Sequence, residues 1–137
     1  MIHLIKLCVG AERVEDLLEW QRLNYGAGPA RHVTRMWPKR TEELLDGGSL
    51  FWVFKGLTLA RQRILALEEA TGPDGISRCA IILDREVVRT EAMPRRPFQG
   101  WRYLSAEDAP ADLRRGRERE EPLPRELQAA LSEIGLR

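Results

Sequence analysis

Cysteine is nearly absent from this chain: only Cys8 and Cys79 occur, each alone in an apolar run, "LIKLCVG" and "SRCAIIL". With no Cys-x-x-Cys pair, zinc-ribbon and thioredoxin-type sites lack their ligands, and both thiols are expected to be reduced core residues. Histidine is as scarce. His3 and His32 stand alone, without metal-ligand spacing, so no metal site and no cofactor motif is expected. No apolar run reaches the length of a membrane span and no signal-peptide pattern opens the chain, which makes the cytoplasm the expected compartment. Net charge is lacking too. The 22 basic and 21 acidic residues leave +1, so attraction to phosphate has to come from uneven placement of charge. The glycine pair in "DGGS" is too short for a phosphate loop and lacks its Lys-Ser/Thr ending.

What remains is the pattern of one soluble domain over residues 1–137, with no internal repeat and no domain boundary. "IHLIKLCVG" alternates with apolar residues on both faces: Ile2, Leu4 and Cys8 on one, Ile5, Leu7 and Val9 on the other. That is a well-covered strand. Val14, Leu17, Leu18 and Leu23 then fall at helical spacing, with Trp20 expected to pack on the sheet and "NYGAGP" ending the helix. "RHVTRMW" reads as a short strand before Pro38, and "TEELLDGG" as a brief helix stopped at Gly47 or Gly48. "SLFWVFKG" and "LTLARQRILALEEA" read as two strands joined tightly at Gly56. In the second strand Arg61 and Arg63 share the parity of Leu57, Leu59, Leu65 and Leu67. A flat strand would bury both cations among leucines, so a β-bulge or the rim of a barrel is expected, with a helix as the competing local reading. "SRCAIIL" and "EVVRTEAM" add strands. Residues 105–122 read as a polar connection and 123–135 as an amphipathic helix. Helices early and late around central strands argue for an α+β fold on a curved, mainly antiparallel sheet.

The stretch "RRPFQGWRYL" concentrates cations and rings. Nucleic acid needs cations at several phosphates and flat groups for unstacked bases, and three regions offer them. Arg31, Arg35, Trp37, Lys39 and Arg40 precede the brief helix. Arg61 and Arg63 lie on the returning strand. Arg96, Gln99, Trp101 and Arg102 come late, with Gln99 able to read a base edge and Phe98 and Tyr103 as anchors. Exposed charge and core aromatics explain the same residues without a ligand. His32 stands beside basic residues, where a phosphate contact or proton transfer is conceivable, and Ser49 has no base nearby in sequence.

The blocks "HLIKLCVG", "TRMWPKR", "LLDGGSLFWVFKG", "RQRIL" and "RRPFQGWRYL" resemble a bacterial family known as domain of unknown function 1489, over residues 1 to 113. That resemblance brings no reaction and no catalytic residues. The order of elements, with a Gly-Gly entry and a late "F-x-G-W-R-Y-L" block, is also similar to the PUA-like group and its ASCH and EVE members. The likeness implies a small, mainly antiparallel β-barrel with flanking helices over residues 1–104, binding RNA or a modified nucleobase without catalysis. The Gly-x-Lys-x-x-Glu-x-Arg signature of many ASCH domains is missing. Some PUA-like relatives hydrolyse amides with lysine, threonine and glutamate, so Lys39, Thr41, Glu42 and Glu43 define a hydrolase alternative. A protein-interaction module using the last helix is the third.

Overall fold

The computed structural model describes residues 1–113. The expected C-terminal helix and the second half of the polar connection lie outside that range. The described elements are β1 (Ile2–Leu7), α1 (Val14–Tyr25), β2 (Ala30–Thr34), α2 (Thr41–Leu45), β3 (Ser49–Phe54), β4 (Leu57–Glu69), β5 (Cys79–Leu83), β6 (Val88–Pro94) and β7 (Trp101–Ser105). The strands form one seven-stranded sheet in the order β2-β5-β4-β3-β1-β7, with β6 pairing β4 beside β5. Only β1 and β3 run parallel; every other named pair is antiparallel. The α+β class with a mainly antiparallel sheet is therefore observed.

The barrel is not. β2 and β7 end the strand order and share no ladder, so the sheet stays open. β2 stops at Thr34, and Pro38 soon afterwards has no N–H to give to a ladder. The chain reaches β7 by single bonds instead: Trp101 Nε1 donates to the Met36 carbonyl at 2.9 Å, and Tyr103 Oη accepts from the Lys39 and Arg40 amides.

Alternation places apolar residues on both faces of the central strands. Ile2, Leu4, Leu50, Trp52, Phe54, Ala60 and Ile64 join the face under α1 and α2. Ile5, Phe51, Val53 and Leu104 form a smaller cluster on the other face. The expected bulge is present. Trp52 pairs with Ala60 but Val53 pairs with Thr58, which leaves Leu59 as the extra residue. Beyond it Gln62 and Ile64 point into the larger core, whereas Arg61 and Arg63 turn to the opposite face, so no arginine enters the leucine layer. Lys55 and Gly56 both have positive φ, 46° and 83°, between Phe54 and Leu57, the two-residue turn whose twist suits a hairpin. Gly48 has a different reason to be glycine: a methyl there would collide with the carbonyls of Ile2 and Leu44, so β1, α2 and β3 close together only without a side chain.

α1 departs from the expected stripe. Val14, Leu17 and Gln21 are its buried residues, while Leu23 and Trp20 are 68% and 53% exposed. Trp20 packs edge-on against Tyr25 of its own helix rather than on the sheet. Gln21 enters the core because it has a partner. Its amide and that of Gln62 exchange two hydrogen bonds, at 2.9 and 2.8 Å. Gln62 Oε1 also accepts from Trp52 Nε1, and Gln62 Nε2 also donates to the Asp84 carbonyl. One side chain thus ties α1, β3, β4 and the β5–β6 connection, with all its amide groups satisfied.

Gln62→Leu would strand the Trp52 indole N–H, the Asp84 carbonyl and the Gln21 amide together. A loss of about 3 kcal/mol or more is expected, against about 1 kcal/mol for Gln21→Leu, whose position borders a cleft that water can enter. Urea unfolding of the two variants measures the difference.

Candidate nucleic-acid interface and a half-buried lysine

β7 pairs with β1 on one side only, so it is an edge strand. Its alternation decides the fate of "GWRYL". Trp101 and Tyr103 point to the larger core face, where Trp101 is 5% exposed, and the two rings meet edge to face at 5.0 Å. Trp101 was expected to face a groove; it is instead a buried tie, because its indole N–H is spent on the Met36 carbonyl. Arg102 points the other way, and its guanidinium lies over the Phe98 ring at 5.6 Å. Arg95 covers the same ring at 5.2 Å.

The bonds from Trp101 and Tyr103 bring residues 36–40 against this edge. Arg35, Trp37, Lys39 and Arg40 are exposed there, Trp37 by 39%. Arg40 stacks on Tyr103 at 5.5 Å and forms a two-point ion pair with Glu43. Arg96, Gln99 and Arg102 are exposed on the β7 side. Among the described residues, Arg35, Lys39, Arg96 and Arg102 make no ion pair, whereas Arg13, Arg22, Arg40, Arg61, Arg78 and Arg89 do. Arg31, Arg63 and Arg85 make no ion pair among those residues either, so unpaired cations stand beside β7 and elsewhere on the described surface.

Arg61 and Arg63, on β4, stand apart. In register across the sheet, Arg102 lies opposite Ile5, Ile5 opposite Phe51, and Phe51 opposite Arg61. Three strand spacings, about 14 Å, separate the two arginines. Arg61 is a structural residue: it grips Asp112 with two hydrogen bonds of 2.7 Å and donates to Ser49 Oγ at 3.0 Å. Its partner holds the Asp112 carboxyl below the usual range. Arg63 is exposed on the same strand, opposite Ser49, and Arg31 is exposed on β2, where its carbonyl accepts the Tyr25 hydroxyl.

His3 lies beside Ser49, but its Nδ1 accepts from the Ser49 backbone amide at 2.9 Å, not from the hydroxyl. No histidine base is therefore bonded to that serine. Of the hydrolase group, Glu43 is held by Arg40 and Lys39 is exposed with no ion pair among the described residues. Among those residues no group of three or more His, Cys, Asp or Glu side chains could hold a metal, and no helix is long and apolar enough to cross a membrane. A cleft of about 380 Å³ opens where the end of α1 meets the β5–β6 connection, lined by Gln21, Arg22, Tyr25, Ala30, Arg85 and Glu86 among others. None of the residues predicted to bind nucleic acid lines it.

Sequence reasoning missed Lys6. It shares the parity of Ile2, Leu4 and Cys8, which was the available signal, and it pairs in register with Trp52 on one side and Trp101 on the other. Burial lowers its pKa. His32 packs edge-on against the same Trp52 at 5.8 Å. Its Nε2 is buried with no hydrogen-bond partner, and burial, then the Lys6 charge, push its pKa down to about 4. Burial pushes the neighbouring Cys8 thiol up to about 11, so it stays protonated at neutral pH and is a poor nucleophile.

The family model described as "Protein of unknown function (DUF1489)" matches residues 4–137. No curated protein and no solved structure matches the chain.

Between pH 6.5 and about 4 the unfolded chain binds a proton at His32 that the folded chain refuses, so stability falls as pH drops through that window. Its full size is on the order of 3 kcal/mol. His3, lowered first by burial and then by Arg61, acts in the same direction. Urea unfolding at pH 7 and pH 4.5 should show a smaller acid loss in His32→Gln than in the parent chain.

Proposed function

The chain belongs to that family, and we propose that it binds RNA without catalysis, through the basic edge around β7. The observation that carries the reading is the meeting of two cationic segments 63 to 65 residues apart, held by Trp101 on Met36 and by Tyr103 on Lys39 and Arg40. Unpaired cations along one edge are the arrangement a phosphodiester backbone needs. Arg35, Lys39, Arg96 and Arg102 contact phosphates, Arg40 contributes from its stack on Tyr103, and Gln99 meets a base edge. Trp37 replaces Trp101 as the indole that an unstacked base, plain or modified, can cover. Arg61 and Arg63 stand outside this footprint.

Fluorescence anisotropy with a labelled single-stranded RNA tests it. Binding should weaken steeply between 50 and 200 mM salt, and Arg96→Ala and Arg102→Ala should each weaken it several-fold while reducing the salt slope by about 1. Arg63→Ala should leave it unchanged. Affinity that is indifferent to salt and to both edge substitutions would remove the proposal.

A further inference from the structure

A second site, on the core side of the sheet beside the Trp101 tie, goes beyond the RNA reading. Lys6 is half-buried in the middle of a β-sheet row, flanked in register by Trp52 and Trp101, and it makes no ion pair among the described residues. A cation placed there without a counter-charge costs free energy. The acid whose charge reaches Cys8 next to it, Asp16, is occupied elsewhere: it accepts from the Glu12 and Arg13 amides and pairs with the Arg13 side chain. Across Trp52 stands His32, whose Nε2 is buried and unpartnered. Two unsatisfied groups, a positive charge and an imidazole nitrogen, therefore border one indole.

We infer that Lys6 and His32 together bind a phosphate group. A cation would be repelled by Lys6, and an apolar group would leave Nε2 without a partner. An oxyanion supplies both the counter-charge and an acceptor for an imidazole N–H. A lone ammonium suits phosphate as a point charge, whereas carboxylate is better matched by a forked guanidinium, and no arginine joins this pair. Binding neutralises Lys6 and stabilises protonated His32, so ligand and proton are taken up together.

The test is an NMR titration of the histidine ring signals of the full chain with inorganic phosphate, with acetate and chloride at matched ionic strength in parallel. The expected result is a saturable shift of the His32 signals with phosphate, an upward move of the His32 pKa from about 4, and no comparable change at His3. Lys6→Met keeps the aliphatic stem and should weaken the response about tenfold or more, and Lys6→Arg should retain most of it. Absence of a His32 response in the parent chain overturns the inference, as does an equal response to chloride or in Lys6→Met. Saturation by acetate but not by phosphate overturns the choice of ligand. Because the titration involves neither RNA nor the β7 cations, its failure leaves the edge reading standing, and the reverse.

Discussion

The side chain on which the rest of the structure leans is Gln62. It is fully buried near the centre of the longest strand, and an amide in that position is tolerable only if every donor and acceptor is met. Gln21, Trp52 and Asp84 meet them, and each partner comes from a different element. An apolar residue at 62 would pack but would let α1 slide over the sheet, because hydrophobic contact has no direction. The amide pair does. It fixes the rotation of α1, and with it which residues of the helix face water.

That rotation explains what was and was not legible in the sequence. The two-faced alternation of β1, the turn at Gly56 and a helix stop at Gly47 or Gly48 were readable because each is a local steric or periodic demand; Gly47 is the one with positive φ. The bulge was readable from a conflict: Arg61 and Arg63 could not share a face with the leucines, and Leu59 absorbs the extra residue. Gln21 and Gln62 were not readable, since nothing in either segment announces a partner 41 residues away. With Gln21 taking the inward position, Leu23 and Trp20 turn outward, against the stripe that hydrophobicity alone suggests.

The candidate sites divide along the same line. Trp101 and Tyr103 draw residues 36–40 to β7 on the larger core face, while Arg102 stacks on Phe98 on the other face of that strand. Which ring faces outward was hidden. Trp37 and Trp101 look alike among their arginines, yet alternation on an edge strand sends Trp101 inward, where Met36 takes its N–H, and leaves Trp37 exposed. Lys6 was legible through parity but was overshadowed by a run that reads as a strand. Closure of the sheet was not legible at all, since it turns on whether β2 extends past Thr34.

The parallel pairing of β1 with β3 has a consequence for synthesis. β1 is translated first of the three central strands, yet its neighbours on either side are β3, more than forty residues later, and β7, about a hundred residues later. Until β7 emerges from the ribosome, a strand with apolar residues on both faces keeps one open rim. Nascent chains of this protein are therefore most prone to mispairing and chaperone capture at lengths just short of β7.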